Sequence, residues 1–324
     1  MHILMVTQTR LPATRYGGVE RVVWDLAKAL VAGGARVSLL APQGSHCDFA
    51  TVIVRDPERP LLTHIPVDAD LVHFHANRAV EPLDRPYVLT QHGNVEGPID
   101  RQSVFVSQSH AQNHGSERYV HNGLDWSRYP RPGLGARDRY FHFLGNAAWR
   151  VKNVRGAIRA TRRAGQQLRV MGGTRINFRM GFRLTLDRHT QFLGMVDDAR
   201  KAKVLEGSRG LVFPVIWHEP FGLAIIESLF YGCPLFGTPY GALPELVNQD
   251  TGFLTDSEEA LAEALNDWRR FDPVVCHEHV LDRFSAERMA ESYQAIYQLA
   301  VSGTPLNPEL PPVRERLRDL PWNR

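Results

Sequence analysis

The chain has 324 residues, 43% of them hydrophobic and 23% charged, the composition of a water-soluble folded protein long enough for two domains. A formal net charge of +3 is too small for a nucleic-acid binder, and three cysteines without paired spacing (Cys47, Cys233, Cys276) argue against a disulfide framework and a structural zinc site. The opening Met1-His2-Ile3-Leu4-Met5-Val6-Thr7 lacks the basic lead of a signal sequence and no apolar run is long enough to cross a bilayer, so a cytoplasmic location is expected.

His2 to Thr7 reads as an apolar strand. After it, Gly17-Gly18-Val19-Glu20 opens a helix over Val19 to Val31, with apolar residues at Val22, Val23, Leu26, Ala27 and Leu30 and a stop at Gly33-Gly34. Glycines at such a helix start let the backbone approach a phosphate or a sugar closely, while Glu20 reads equally as a first-turn acid that complements the helix dipole. Arg36 to Ala41 is the next strand, followed by short β-rich runs at Thr51 to Val54, Leu71 to Phe74, Tyr87 to Thr90 and Val104 to Val106. His73 and His75 alternate and so share one face of a strand. A metal there would need a third ligand that the sequence does not reveal, and Asp68-Ala69-Asp70, at the strand's entry, reads as structural. This alternation predicts a parallel sheet with helices on both faces.

Tyr129-Pro130-Arg131-Pro132-Gly133-Leu134-Gly135 reads as a linker, after which the pattern restarts. Strands are expected at Tyr140 to Leu144, Leu168 to Met171, Leu211 to Val215 and Pro234 to Phe236. Helices are expected at Asn153 to Ala164, Ala199 to Leu205, Leu223 to Tyr231, Glu258 to Phe271 and Ala286 to Ala300, and Thr304 to Pro312 reads as an extended tail. Arg155, Arg159, Arg162 and Arg163 cluster, as do Arg314, Arg316 and Arg318. A solvated helix face and a charged tail are the favoured readings, and a weak membrane-surface contact is the alternative.

The densest chemistry lies in His218-Glu219-Pro220-Phe221-Gly222-Leu223-Ala224-Ile225-Ile226-Glu227-Ser228, where two carboxylates are separated by seven residues. Pro220 suits a first helical turn, so the chain is expected to turn at Trp217 to Pro220 and enter a helix near Phe221, with Glu219 just before it and Glu227 roughly two turns in. The unpaired amides of that first turn make a site for a phosphate or for sugar hydroxyls. Alone, the two glutamates would read as a helix-entry acid and a solvated helix residue. Pro-Phe-Gly between them, and Gly232, Pro234 and Gly241 after them, favour the functional reading.

This passage resembles the donor-site signature of glycosyltransferase family four (glycosyl transferases group 1), and the resemblance covers most of the chain. Gly17-Gly18-Val19-Glu20 resembles the family's Gly-Gly-x-Glu element, Asp70-Leu71-Val72-His73-Phe74-His75 its Asp-x-Val-His-x-His strand, and Thr90-Gln91-His92-Gly93 its strand-end His-Gly. Val120-His121-Asn122-Gly123-Leu124-Asp125 resembles the Pro-Asn-Gly-Val-Asp connector, with His121 for the proline. Phe143 to Asn153 resembles the family's Gly-Arg-Leu…Lys-Gly element: Gly145 and Lys152 match, but Asn146 stands where the Arg is expected and Asn153 where the Gly is expected. Gln191 to Val196 resembles Phe-x-Gly-x-Val, and Tyr240 to Glu245 resembles Gly-Gly-x-Pro-Glu with Ala242 for one Gly.

The resemblance implies an α/β GT-B fold, two Rossmann-like doubly wound domains facing a central cleft. Residues 1–132 would form the acceptor-side domain, 138–284 the nucleotide-sugar donor domain, and 285–324 a C-terminal helix and tail crossing back to the first. It implies a retaining glycosyltransferase that moves a sugar from a nucleotide-diphosphate sugar, UDP favoured over GDP, to a carbohydrate, lipid-linked or small-molecule acceptor in glycan, lipopolysaccharide or glycoconjugate synthesis. No cofactor or metal is implied. His92, Lys152 and Glu219 take the catalytic places. The donor would be bound by Gly17, Gly18, Gly145, Asn146, Arg150, Lys152, Met195, Val196, Glu219, Pro220, Phe221, Gly222, Leu223 and Glu227. Of these, Lys152 neutralises the diphosphate, Glu219 contacts sugar hydroxyls, Glu227 holds the ribose, and the backbone at Met195 and Val196 lies against the base. A neutral Asn146 cannot replace a guanidinium that grips phosphate in a bidentate way, so Arg150 would reach in, or the grip would be weaker, or the donor would differ. The same fold also serves sugar-nucleotide epimerases and phosphorylases, and Asn146 suits a weakly active sugar-nucleotide-binding protein. A nicotinamide dehydrogenase is disfavoured because no Gly-x-Gly-x-x-Gly follows the first strand.

Overall fold

The computed structural model describes residues 1–12, 17–75, 83–95, 99–135, 137, 140–178, 182–307, 309 and 320–323. Arg314, Arg316 and Arg318, part of the tail expected over Thr304 to Pro312, and parts of the loops at 8–16 and 94–102 lie outside the described residues. The chain divides into two compact units, Met1–Trp126 with Phe284–Arg316, and Ser127–Arg283 with Leu317–Arg324.

The first unit opens with β1 (His2–Val6), α1 (Gly18–Ala32), β2 (Arg36–Ala41), β3 (Thr51–Val54), β4 (Leu71–Phe74), β5 (Tyr87–Gln91), β6 (Ser103–Phe105) and α2 (Gln108–Asn113). Its six strands are parallel, in the order β3-β2-β1-β4-β5-β6. β1 and β4 are buried throughout, as expected of strands covered on both faces, and Leu4, Val6, Leu40, Val72, Phe74 and Leu89 pack one core cluster. The Asp-Ala-Asp stretch is structural as expected: Asp70 accepts the His2 backbone N–H at 2.7 Å, and Asp68 pairs with Arg36, which holds the Asp68 carboxyl below its ordinary value.

The second unit carries β7 (Tyr140–Leu144), α3 (Val154–Arg163), β8 (Gln167–Met171), β9 (Ile176–Asn177), β10 (Arg183–Leu184), β11 (Thr190–Gly194), α4 (Asp198–Glu206), β12 (Leu211–Phe213) and α5 (Leu223–Phe230). Then come β13 (Leu235–Gly237), α6 (Leu243–Leu246), β14 (Gly252–Leu254), α7 (Glu258–Asn266) and α8 (Pro273–Arg283). Its main sheet has the order β11-β8-β7-β12-β13-β14, parallel throughout, the same winding as the first. β9 and β10 form a separate antiparallel hairpin. Residues at the chain's end also belong here: Leu320 N–H donates to the Ile216 carbonyl at 2.9 Å and Asn323 N–H to Asp256 at 2.8 Å.

The helix α9 (Ala286–Val301), the last among the described residues, packs in the first unit against α1 and β5. Gly123 makes that docking possible, because a Cβ there would lie 2.0 Å from the Ser285 carbonyl oxygen. The stretch after α9 is held rather than loose: Asn307 donates to the Arg101 and Ser103 carbonyls, each at 2.9 Å.

In each sheet the chain winds outward one way and then the other. The reversal falls between β1 and β4 in the first unit and between β7 and β12 in the second. Open parallel sheets bind ligands beyond the carboxyl ends of their strands at such a switch point.

Candidate functional site

In the second unit the loops leaving β7 and β12 bring Lys152 and Glu219 together. Lys152 Nζ donates to Glu219 Oε2 at 2.5 Å, and both side chains are nearly buried. Trp217 Nε1–H donates to the same oxygen at 2.7 Å, and the ammonium also lies 5.0 Å from the Trp217 ring and 5.2 Å from Phe213. Among the described residues Glu219 Oε1 receives no hydrogen bond, so it is the oxygen turned to other donors.

Local structure aims both side chains. Lys152 ends a single 3-10 turn, and the next residue, Asn153, is left-handed at φ 52°. Asn tolerates that conformation almost as Gly does, so Asn153 in the family's Gly position keeps the backbone path. It also caps α3, accepting Gly156 N–H at 3.0 Å, and donates to the Pro214 carbonyl at 2.9 Å, tying the β7 loop to the end of β12. Glu219 is clamped from the far side by Gly241, whose φ is +62° and where a Cβ would come within 2.3 Å of the Glu219 backbone. Ala242 N–H then donates to the Glu219 carbonyl at 2.9 Å.

The helix after Glu219, α5, begins at Leu223, where the apolar run placed it, and two residues after the Phe221 that the proline suggested. Its cap is Gly222, left-handed at φ 103°. Pro220 and Phe221 are therefore buried loop residues, and Glu227 is the fifth helical residue, just over one turn in, not two. The proline signal misplaced the start because left-handed Gly222 forms the boundary. Glu227 Oε1 accepts Lys201 Nζ at 2.5 Å and the Tyr129 hydroxyl at 3.1 Å, and Lys201 also pairs with Asp198 at 3.2 Å.

The other expected donor residues lie around these pairs. Gly145 follows β7, and its carbonyl is packed against Gly172, where a Cβ would lie 2.3 Å away. Asn146 is exposed, its Oδ1 accepting the Ala148 N–H at 3.0 Å, so its side chain folds onto its own loop. Arg150 is exposed on the 3-10 turn beside Lys152. Met195 is exposed past the end of β11 and fills no core, and Val196 is buried.

In the first unit His92 follows β5 and Gly17 caps α1. His92 Nε2 and His75 Nδ1 share a hydrogen bond of 3.1 Å, which requires complementary tautomers. His73 and His75 do share a face, their rings 4.0 Å apart. His73 spans Tyr297 at 2.8 Å and Thr90 at 2.7 Å, and Thr90 in turn meets Tyr293 at 2.7 Å, so α9 braces this strand pair. Burial holds His92 down to about 4, burial and then the His92 charge hold His73 down to about 3, and burial foremost holds His75 well below its ordinary value. All three are neutral near pH 7. At Gly17 a Cβ would lie 2.3 Å from Glu20 Oε2, so Glu20 folds back over the helix start and Gly18 begins α1 itself.

The sequence reading missed Lys201, Trp217 and Tyr129. Lys201 is buried on a helix whose neighbours Arg200 and Lys203 look the same in sequence, so nothing local singles it out. Trp217, two residues before Glu219, was the one readable signal. Tyr129 sat in the stretch read as linker.

This site and winding define the class of fold: two Rossmann-like six-stranded parallel sheets, the GT-B architecture. It matches the crystal structure of AviGT4, a glycosyltransferase involved in avilamycin A biosynthesis, with a TM-score of 0.74 and 20% identity over 94% of this chain and 98% of that one. It also matches Anabaena Alr3699/HepE in complex with UDP-glucose, with a TM-score of 0.60 and 18% identity over 93% of this chain and all of that one. Residues 138–269 match the family model described as "Glycosyl transferases group 1". A phosphatidyl-myo-inositol mannosyltransferase of Mycobacterium leprae is 29% identical over 128 residues, which are 37% of this chain and 34% of that protein, so the chain spans about a third of that relative's length. Among the described residues no helix is long and apolar enough to cross a membrane.

Proposed function

We propose that the chain is a retaining glycosyltransferase of family four that moves a sugar from a nucleotide-diphosphate sugar to an acceptor hydroxyl. The observation that carries this reading is the pair of lysine–glutamate contacts, Lys152–Glu219 and Lys201–Glu227, set at opposite ends of one loop-and-helix segment beside the switch point of the second sheet. The group 1 match over residues 138–269 covers all four.

Breaking the bond from the sugar to the diphosphate builds positive charge on the ring and negative charge on the leaving group. Preorganised cations and amides lower that barrier most. Lys152 takes the leaving diphosphate, joined by the first-turn amides of α5 and by Arg150. A diphosphate competes with Glu219 for the ammonium and frees the carboxylate to accept hydrogen bonds from sugar hydroxyls. Glu227 accepts from the ribose diol while Lys201 and Tyr129 hold it in place. His92, kept neutral by burial, offers a hydrogen bond to the donor sugar without adding charge beside a cationic ring. The acceptor hydroxyl enters on the face the diphosphate leaves, and its proton passes to the diphosphate, so no protein base is assigned. UDP is the favoured nucleotide, in keeping with the fold relative bound to UDP-glucose.

The test is a thermal-shift screen of UDP, GDP, ADP and their sugar conjugates, followed by transfer assays with the best donor. Ligand that binds only the folded state raises its melting temperature. A shift with UDP-sugars and a product of retained anomeric configuration are expected. No shift with any nucleotide would overturn the reading, and an inverted product would overturn the retaining mechanism.

A further inference from the structure

The β9–β10 hairpin is inside out. In Phe182-Arg183-Leu184-Thr185-Leu186 the polar Arg183 and Thr185 are buried while the three apolar side chains face solvent. Arg183 explains the inward half: its guanidinium donates to the Thr174 carbonyl at 2.9 Å and to Thr185 at 3.0 Å, and stacks 5.0 Å from the Phe192 ring. Period-two alternation then forces the apolar partners outward. Ile176 and Leu184 are cross-strand partners, and the Phe178 and Phe182 rings lie 5.7 Å apart. Phe178 is 79% exposed, Leu186 80% and Phe182 62%. Clustered apolar exposure of this kind marks an interaction surface.

Arginines surround it. Arg155, Arg159 and Arg162 of α3 face the hairpin, Arg163 follows on the same helix, and Arg175 and Arg188 are exposed on the hairpin's flanks. Arg155 donates to the Phe182 carbonyl at 2.9 Å, tying helix to hairpin. A groove of about 490 Å³ runs between them, lined by Arg155, Arg159 and Arg162 on one side and Leu184 and Leu186 on the other. The acids that pair with these arginines are Asp187, Glu258 and Glu259, fewer than the arginines themselves, so the face stays cationic.

We infer that this face docks on an anionic lipid bilayer, the phenylalanines and leucines entering the headgroup boundary and the arginines meeting lipid phosphates. A cationic rim around an apolar patch is the arrangement that holds peripheral proteins at such surfaces. A second copy of the chain is disfavoured as occupant, because a two-fold contact would set the arginine rim against itself.

The experiment is co-sedimentation of the full chain with vesicles of phosphatidylcholine alone and with an equal mixture of phosphatidylcholine and phosphatidylglycerol. Binding to the mixed vesicles only, weakened by added salt, is expected. Phe178→Ser with Leu186→Ser, both strongly exposed, is expected to cut that binding on the order of tenfold with an unchanged melting temperature. Arg155→Gln with Arg162→Gln is expected to reduce it to a similar degree and serves independently should the serine variant fold poorly. No binding to the mixed vesicles, or full binding by either folded variant, overturns the inference. So does a concentration-dependent dimer that the serine variant abolishes, which would make the face a contact between copies.

Discussion

The two sheets share one winding and differ in the chemistry at their carboxyl edges. In β4 and just beyond β4 and β5 of the first unit stand neutral histidines, held uncharged by burial, His75 and His92 linked to one another and His73 to Tyr297 of α9. Beyond β7 and β12 of the second stand ion pairs, Lys152 with Glu219, and one helical turn on, Lys201 with Glu227. The same backbone thus supplies hydrogen bonding without charge in one unit and concentrated charge in the other. The fold supplies the place at which side chains converge, and the loops decide what chemistry is done there.

If the charged edge carries the leaving-group chemistry, Lys152→Ala should lower kcat by about 10²–10³-fold, the usual cost of losing one preorganised donor. Glu219, nearly buried, then keeps only the Trp217 N–H as a donor among the described residues, so the melting temperature should fall as well and kcat is compared per folded enzyme. A near-normal kcat would break the contrast between the edges. Glu227→Gln keeps the shape but drops the charge facing Lys201, and should abolish the nucleotide-induced thermal shift. Alanine is the poorer probe, since leaving a buried Lys201 without its main partner costs about 3–5 kcal/mol of stability. Retention of the full shift in Glu227→Gln would remove Glu227 from the ribose role.

The next pair compares glycines. Gly241→Ala drives a Cβ into the Glu219 backbone, 2.2 Å from its nitrogen, and should unseat that residue, lowering stability by more than the ~1–2 kcal/mol of a left-handed alanine alone. Gly34 of the first unit has a similar φ, +85°, and open space around it, so Gly34→Ala should cost only that backbone term, measured by urea unfolding. Equal losses would mean that the clamp on Glu219 adds nothing.

Acid sharpens the contrast further. His73 and His92 titrate in the folded chain at about 3 and about 4. The unfolded chain therefore takes up these protons first. Stability is full above about pH 6.5 and declines as pH falls toward 4, with a slope of up to about 1.4 kcal/mol per pH unit for each such histidine. The second unit has one comparable histidine, His142, buried between Ser208 and Ser228. Hydrogen exchange at pH 5 should thus reach β4 and β5 before β12 and β13, and His73→Gln should narrow the gap. Simultaneous exposure of both units would refute the account.

Much of this was legible in the chain. β2, β3, β4 and β7 fall where their apolar runs end, because strand period and burial are written in neighbouring residues. The short elements were not: β9, β10, β14, α2 and α6 have too few residues to show a period, and they hold their shape through partners elsewhere. The two glutamates were legible from spacing, and Asn153 kept its place because its side chain tolerates a left-handed turn.

What the sequence determined by itself was the pair of alternating strand-and-helix series and the residue types available for phosphate and sugar chemistry, all properties of local order. Only the tertiary structure decided which charges meet. Lys152 and Glu219 are 67 residues apart, Tyr129 and Glu227 98, and His73 and Tyr297 224. Such pairs form because strand order carries distant loops to one edge of a sheet, and no local propensity encodes that order. The outward-facing phenylalanines of the hairpin belong to the same class: their alternation predicts a buried apolar face, and a single inward arginine, held by the Thr174 carbonyl and the Thr185 hydroxyl, turns it over.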